Sequence, residues 1–332
     1  MTKPLVHKAF AFIIRDGADE RCDLLVFELR SIGYEFYRLP GGNLEAGETP
    51  LQAAHRETLE ESGIENLRFI RKIGTTRYFK PFIQSEVERT DYLFKADTRL
   101  PDRWEHVGTV GPEQGVVFAY SWVSKDSFSR LDPELRTFLT RDRVPELFSR
   151  GPLLGLNRGE VAVSPYREEW KRLFELEKEN IEEAIGDYVR DIQHVGSTAI
   201  PGMSAKPILD IAVAVRDFDE ARICVKPLCG IGYEFRGENG IPRRHFFRKG
   251  VPRSHHIHVF EERSTDWRET IRFRDCLRSN QSFAEEYKRL KQNLARRFPK
   301  DRTSYQDGKG KFIEEVIKKA GGWAGPTPWH HS

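Results

Sequence analysis

The sequence predicts an α/β protein of two domains. In the first half, strand-like apolar runs alternate around one helix with clear start and stop signals. A glycine-rich stretch at residues 149–158 ends this pattern and predicts a linker, so we place one domain at residues 1–150 and the other at residues 158–322. The length of 332 residues, with 38% hydrophobic and 32% charged residues, suits two globular cores.

The first domain is expected to begin with two neighbouring strands, HKAFAFIIR and DLLVFEL, joined by the turn DGADERC. The segment EFYRLPGG then leads the chain into the helix. Later strands are predicted at LRFIRKIGTTRYF, RTDYLFKA and GVVFAYSWV. An amphipathic segment at residues 132–148 predicts a second helix that closes the domain.

The predicted helix after EFYRLPGG has a well-defined start and end. Thr49 is an N-cap residue, Pro50 suits the first helical position, and Gln52 completes a capping box with Thr49. Gly63 can adopt the left-handed conformation that ends helices. The pattern therefore predicts a helix of about three and a half turns.

Three acidic side chains crowd the C-terminal end of this helix. Glu57, Glu60 and Glu61 fall within about a third of the helix circumference. Like charges four residues apart cost about 0.2–0.5 kcal/mol, and the helix dipole adds a further penalty for anions at this end. A solvated polar face explains these charges poorly, because Arg56 is the only nearby cation on the helix. A hard cation such as Mg²⁺ would convert the repulsion into binding.

The glycine-rich loop before the helix strengthens this interpretation, because its backbone can approach a metal ion or a phosphate closely. The stretch from Pro40 to Ile64 resembles the Nudix box at the positions Gly42, Glu48, Arg56, Glu57, Glu60, Glu61, Gly63 and Ile64. The usual box has an aliphatic residue where this chain has Thr58, which is β-branched and can also pack.

The resemblance covers residues 6–148 and implies an α/β/α sandwich with a mixed sheet. It implies a hydrolase that cleaves the diphosphate linkage of a nucleoside diphosphate derivative with Mg²⁺ or Mn²⁺ as cofactor. Glu57, Glu60 and Glu61 would bind the metal ions together with the backbone carbonyl of Gly42. Arg56, with Glu48, would hold the geometry of the loop and the helix. A general base must still accept a proton from the attacking water.

The general base is not part of the box, and we consider three residues for this role. Glu113 precedes the predicted strand that ends at Trp122 and is our first choice. Glu105 in the segment RWEHV is an alternative acid, and His106 beside it is a weaker one. Each of these residues is equally compatible with a surface position on a polar loop.

The second half contains Asp210 in an otherwise apolar strand, where an unpaired charge would be costly. Lys206, His258 or a metal ion are the partners that we consider, and a purely structural salt bridge remains the alternative. The stretch DIQHVGSTAIPGMSAKPILDIAVAV, with HHIHVF and YQDGKGKFIEEVIKKA, resembles the GrpB family over residues 161–320. This resemblance implies an α+β fold related to nucleotidyltransferases.

In enzymes of that fold, a Gly-Ser pair binds triphosphate and two acids on the next strand bind metal. Gly196 and Ser197 fit the first feature, but Ala212 replaces the second acid after Asp210. We therefore predict a nucleotide-binding or phosphate-binding domain, with the residues His194, Gly196, Ser197, Lys206, Asp210, Arg244 and His258. Arg243 and His256 lie in the same motifs. A nucleotidyltransferase acting through this domain and a non-catalytic nucleotide sensor are the alternatives.

Lysines and arginines are also numerous in the C-terminal helices, at Arg274, Arg278, Lys288, Lys291, Lys309 and Lys311. We interpret them as solvated helix faces paired with glutamates rather than as ligand contacts.

Charge and cysteine content limit the remaining functional classes. A formal net charge of +3 permits an anionic partner such as a nucleotide without requiring nucleic acid. Cys22, Cys224, Cys229 and Cys276 have no paired spacing, so neither zinc nor a disulfide framework is expected, and a reducing cytoplasm fits best. The apolar runs are too short to cross a membrane, and we expect no signal peptide and no membrane partner.

Overall fold

The computed structural model describes residues 4–17, 20–29, 35–96, 100–108 and 114–321. The chain divides into two compact units, residues 1–152 and residues 153–332. Throughout the described ranges, every helix is too short or too polar to cross a lipid bilayer.

The first unit is built on a mixed sheet of seven strands in the order β4-β5-β1-β2-β7-β6, with β3 paired to β1. The strands are β1 Val6–Asp16, β2 Cys22–Leu29, β3 Gly41–Asn43, β4 Leu67–Lys80, β5 Ser85–Ala96, β6 Arg103–Val107 and β7 Val117–Val123. β1 and β5 are parallel, whereas the other pairs are antiparallel. One long helix, α1 Pro50–Ser62, follows β3. The predicted α/β fold with a mixed sheet is confirmed.

Alternation along β1 directs its side chains to two separate cores. Ala9 and Ala11 pack with Ala53 and Ala54 of α1 on one face of the sheet. Phe12, by contrast, packs into the core on the opposite face. The small alanines let the acidic helix lie close to the sheet.

The layer on the opposite face is not the single helix predicted for residues 132–148, and that prediction is wrong. The chain there forms the short 3₁₀ helices Lys125–Arg130, Pro133–Arg136 and Pro145–Leu147. Pro145 has no backbone N–H and its ring clashes with the preceding turn, which interrupts a continuous helix. Arg71 binds Glu146 with N–O distances of 2.5 and 2.9 Å and so ties this layer to β4.

The second unit contains a five-stranded sheet in the order β10-β11-β12-β9-β8, in which only β12 and β9 are parallel. The strands are β8 Val189–Val195, β9 Leu209–Val215, β10 Tyr233–Phe235, β11 His245–Lys249 and β12 His255–Glu261. The helices are α2 Glu169–Ile185, α3 Val225–Gly230, α4 Thr265–Ser279, α5 Gln281–Arg297 and α6 Arg302–Lys319. The segment EVAVSPY, which we expected to be strand-like, makes only an isolated bridge from Ser164 to Ala205.

Alternation along β9 explains why a charged residue lies in this strand. Ile211 and Val213 belong to the large core that contains Trp170 of α2. Ala212 and Ala214 face the opposite side and pack with Trp267 of α4. Asp210 shares their face because residues two apart in a strand point in the same direction. The aspartate therefore lies on the side of the sheet that is away from the main core.

Candidate functional site

Helix α1 begins and ends where the sequence predicts. The Thr49 side chain accepts a hydrogen bond from the Gln52 N–H, and the Gln52 side chain accepts one from the Thr49 N–H, which forms the capping box. At the other end, Gly63 has φ +72° and its N–H donates to the Leu59 carbonyl. Both helix signals are confirmed, and they determine the position of the acidic turn.

The acidic turn of α1 lines a cavity of about 570 Å³. β3 and the following loop form another wall of it. The lining residues that carry charge are Lys8, Arg38, Glu45, Arg56, Glu57, Glu60 and Glu61. Gly42 also lines the cavity. The structure thus brings together all the predicted metal ligands and Arg56.

Arg56 is the central charged residue of this cavity. Its Nε and Nη2 donate to the two carboxylate oxygens of Glu48 at 3.0 and 3.1 Å, and Nη2 also donates to the Asn43 carbonyl at 2.9 Å. Its Nη1 lies 3.0 Å from Glu60 Oε2 and 3.1 Å from Glu57 Oε1. The hydrogen bond from Arg56 lowers the pKa of Glu48. One guanidinium therefore connects the loop to the helix and neutralises two of the predicted ligands.

The glycines of β3 allow the loop to pass close to the acids. The Gly41 N–H donates to Glu61 Oε2 at 2.9 Å, and Glu61 is almost completely buried. A Cβ atom at Gly42 would overlap the Glu57 carboxylate. Glycine is required at this position because the backbone and the carboxylate occupy adjacent space.

Thr58 and Leu59 behave differently from each other. Thr58 is fully buried, and its hydroxyl donates to the Ala54 carbonyl at 2.7 Å, so the threonine packs as expected. Leu59, the next residue, has 45% of its surface exposed.

Lys8 and Arg38 are cavity residues that the sequence analysis did not identify. Lys8 lies on β1 and is paired in register with Asn43 of β3, which places it beside the glycine-rich loop. Burial lowers the pKa of Lys8, and the nearby Lys80 and Arg38 lower it further. In the sequence, only the position of Arg38 directly before LPGG could have indicated that this residue lines the cavity.

The three residues considered as general base have different surroundings. Glu113 lies outside the described residues. Glu105 lies on β6 and lines a separate cavity with Tyr37 and Arg130. The His106 Nε2 is 3.0 Å from the Glu60 carbonyl, so this histidine satisfies an unpaired carbonyl near the end of α1.

The donor set of the acidic cavity fits a hard divalent cation. Carboxylate oxygens and a backbone carbonyl are the ligands that Mg²⁺ and Mn²⁺ prefer. In the described ranges, the ligand atoms of three acidic or histidine side chains come within 4.8 Å of one another only at Asp210, His256 and His258. Metal binding in the acidic cavity would therefore need rearrangement of the carboxylates that Arg56 now contacts.

A second cavity, of about 150 Å³, lies beside Asp210 in the second unit. Asp210 and His256 are paired in register on the parallel strands β9 and β12, and His258 follows two residues later on the same face. His256 Nδ1 is 2.9 Å from Asp210 Oδ1, whereas His258 Nε2 is 3.7 Å from it. Burial disfavours the charged form of Asp210, but the hydrogen bond from His256 and the proximity of His258 outweigh it and lower its pKa.

Arg244 determines the protonation of His258. The Arg244 side chain is fully buried and donates to the carbonyls of Glu238 and Asn239 at 2.8–3.2 Å. Its Nη1 lies 3.2 Å from His258 Nδ1. Arginine can only donate, so Nδ1 must accept, and the proton of the neutral ring is on Nε2. Burial lowers the pKa of His258 to about 4, which keeps the ring neutral.

The residues predicted as the phosphate site of the second unit do not form one site. Gly196, Lys206, Asp210 and His258 line the cavity of about 150 Å³. His194 lines a different groove, of about 900 Å³, and its Nε2 is 2.9 Å from the Thr198 hydroxyl. Arg244 acts through His258 and does not line the cavity, and Ser197 begins a single 3₁₀ turn.

The lysines and arginines of the C-terminal helices have different surroundings, even where they are close in the sequence. Lys309 lines the same cavity as Asp210, whereas Lys311 is exposed. Arg274, Arg278 and Lys291 donate to backbone carbonyls and therefore have structural contacts. Arg253 and Arg302 also line the cavity, and the sequence analysis did not identify them.

Comparisons with known proteins find separate matches for the two halves of the chain. The NUDIX domain model matches residues 5–142, and the GrpB protein model matches residues 160–319. Glutamate-rich protein GrpB of Alkalihalophilus pseudofirmus is 39% identical over 173 residues, which cover 50% of this chain and 99% of that protein.

Solved structures are similar to each half of the chain. The crystal structure of GrpB from Enterococcus faecalis is 32% identical with a TM-score of 0.46, covering 48% of this chain and 96% of that one. The Ap4A hydrolase of C. elegans is 20% identical with a TM-score of 0.31, covering 41% of this chain and 94% of that one.

The fold, the acidic cavity and the family matches define a fusion of two domains. The first matches the NUDIX domain model, and proteins with that domain are hydrolases of nucleotide derivatives that generally use divalent metals. Through its second half, the chain belongs to the GrpB family, also named UPF0157.

Proposed function

We propose that the first unit is a Mg²⁺-dependent or Mn²⁺-dependent hydrolase that cleaves the diphosphate linkage of a nucleoside diphosphate derivative. The observation that supports this most directly is the position of Glu57, Glu60 and Glu61 beside the glycine-rich strand β3 in one cavity. A bound divalent ion would neutralise the diphosphate and lower the pKa of a bound water.

The chain's own residues have distinct roles in this proposal. Arg56 holds Glu48 and the Asn43 carbonyl, and so fixes the loop against the helix. Its contacts with Glu57 and Glu60 would be exchanged for contacts with the ion, because both compete for the same oxygens. Lys8 and Arg38 are positively charged groups in the same cavity and would contact the phosphates.

Proton transfer from the attacking water requires a base in the same cavity. Glu113 remains our candidate. Glu105 lines a separate cavity and His106 contacts a helix carbonyl, so neither is a better choice.

Glu60→Gln and Glu61→Gln provide the test, with Glu65→Gln as the matched control. Glu65 is exposed and lies just beyond the end of α1. We expect both cavity variants to lose metal-dependent hydrolysis across a library of diphosphates that includes dinucleoside polyphosphates, while the control retains it. Circular dichroism would verify that the variants are folded. Unchanged turnover of every substrate by the cavity variants would contradict the assignment.

For the second unit, we propose nucleotide binding rather than nucleotidyl transfer. Ala212 lies on the face where a second acid would be needed for two-metal transfer, beside Asp210 on β9. A purely sensory role for the whole chain is disfavoured, because the three predicted metal-binding glutamates of the first unit line one cavity.

A further inference from the structure

The cavity beside Asp210 is surrounded by cations from three different segments. Lys206 comes from the loop before β9, Arg253 from the turn between β11 and β12, and Arg302 and Lys309 from α6. Residues 302, 306 and 309 lie on one face of α6, because they are separated by four and three positions. All three line the cavity.

In the part of the chain that the structure describes, none of these four side chains forms a salt bridge or a hydrogen bond. The buried Nε atoms of Arg253 and Arg302 have no hydrogen-bond partner in those ranges. Lys206 and Lys309 instead contact the ring of Tyr305, with Nζ at 4.1 and 4.7 Å from its centroid. Buried donors without partners are rare in proteins and point to a ligand.

Asp210 does not neutralise this group. One carboxylate faces four basic side chains, so positive charge exceeds negative charge around the cavity. Burial, together with the charges of Lys309, Arg302 and Arg253, lowers the pKa of Lys206 to about 7. Burial likewise lowers the pKa of Lys309 to about 8. An anion in the cavity would relieve this repulsion.

A metal ion is a poor occupant of the same site, although Asp210, His256 and His258 lie close together. A histidine that binds a metal through Nε2 normally donates its Nδ1–H to a partner. Here the Arg244 guanidinium donates to His258 Nδ1, so Nε2 carries the proton and has no lone pair for a metal. The excess of positive charge would also repel a cation.

We propose that the second unit binds a phosphate or diphosphate group in this cavity without a metal ion, through Lys206, Arg253, Arg302 and Lys309. The volume of about 150 Å³ is smaller than typical cavities for whole ligands, so it suits one end of a nucleotide or a free inorganic anion. This deepens the nucleotide-binding role proposed above and rests on that role for the identity of the ligand, but not for the presence of the anion site.

The His256–Asp210 pair has a defined place in this site. His256 Nδ1 donates a hydrogen bond to Asp210 Oδ1. This bond stabilises the negative charge of the aspartate and fixes the position of the carboxylate. Among the described residues, Asp210 is nevertheless the only anion that lines the cavity. Its removal should therefore strengthen phosphate binding, whereas a metal site would lose its function with the same change.

The test is calorimetric titration of the full chain with sodium pyrophosphate, and separately with phosphate, in excess EDTA. We expect one site per chain. Lys309→Gln and Arg302→Gln should each weaken binding about tenfold or more, since each removes a charge-assisted contact. Lys311→Gln is the matched control, because Lys311 is an exposed lysine of the same helix. Asp210→Asn should strengthen binding.

Three results would overturn the proposal: no binding in EDTA, equal weakening by Lys309→Gln and Lys311→Gln, or binding that appears only with a divalent metal and is abolished by Asp210→Asn. Pyrophosphate binding without nucleotide binding would support the anion site while contradicting the nucleotide-binding role. No residue of the first unit is changed, so a failure of the proposed hydrolase would leave this test intact.

Discussion

Arg56 shows how one residue can serve a loop, a helix and a group of acids together. Its two-point contact with Glu48 uses the planar geometry of the guanidinium, which lysine cannot reproduce. Its contacts with Glu57 and Glu60 relieve the repulsion that the spacing of these acids creates. Within α1, Arg56 is the cation that contacts these acids, and Lys8 and Arg38 add positive charge to the cavity from other elements.

Gly42→Ala tests how closely the loop and the acids are matched. The added methyl group would overlap the Glu57 carboxylate and displace it. We expect hydrolytic kcat/KM to fall on the order of 100-fold, because displacements of about 1 Å in a reacting site have effects of that size. The measurement is kcat/KM over a Mg²⁺ titration.

Gly186→Ala serves as the control for this change. Gly186 has φ −53° and open space around its Cβ position, so alanine should be tolerated there. Equal activity of the Gly42 and Gly186 variants would show that the close approach at Gly42 has no role.

At the scale of secondary structure, the two sites are assembled in different ways. The predicted metal ligands of the acidic cavity lie on one helix and the short strand before it, so they are close in the sequence. The cavity beside Asp210 is lined by residues of β9, β12, α6 and two loops. Two of these residues, Asp210 and Arg302, are far apart in the chain. The parallel register of β9 and β12 is the element-level feature that pairs Asp210 with His256.

Thr49→Ala tests the contribution of the helix cap to the first unit. The change removes the hydroxyl that accepts the Gln52 N–H, and loss of such a cap costs about 0.5–2 kcal/mol. We expect a lower free energy of unfolding for the first unit with largely retained hydrolysis, since Glu57–Glu61 lie at the opposite end of α1. Denaturant unfolding of the full chain provides the measurement. Thr49→Ser should restore the stability, and an equal loss in both variants would exclude the cap as the cause.

At the scale of the whole molecule, charge is distributed unevenly although the net formal charge is only +3. The first unit has a cavity rich in glutamates, and the second has a cavity rich in lysine and arginine. The second unit also buries several histidines in their neutral form, including His194 on β8. The small net charge of the chain therefore gives no indication of either cavity.

The buried histidines predict a loss of stability in mild acid. Burial lowers the pKa of His194 to about 3 and that of His258 to about 4, compared with about 6.5 in the unfolded chain. Below pH 6.5 the unfolded state binds more protons than the folded state, so stability decreases as the pH falls. Each histidine should cost roughly 2 kcal/mol by pH 5.

Denaturant unfolding of the full chain between pH 7 and pH 5 provides the measurement. His194→Gln should have a weaker dependence on pH in this range, whatever its absolute stability, because it removes one titrating group. The same pH dependence in the variant and in the natural chain would argue against a buried neutral His194.

Local interactions were readable from the sequence. The cap at Thr49, the stop at Gly63 and the acidic turn between them depend on contacts within a few residues. Most strands of the first unit were predicted from their apolar runs, although strand pairing, as between β1 and β5, joins distant segments. The helix predicted at residues 132–148 failed because its proline and turn residues favour short 3₁₀ segments, which the sheet then holds through Arg71 and Glu146.

The sequence by itself determined that this chain has a Nudix-type acidic helix followed by a GrpB-type half, because spacing along one helix and short motifs are local properties. Only the tertiary structure decided that Lys309 faces a cavity while Lys311 faces solvent, and that Arg244 fixes the proton of His258. Strand register places Arg244 beside His258, and the orientation of α6 directs Lys309 to the cavity and Lys311 to solvent. They are set by packing between segments far apart in the chain, which no short motif encodes.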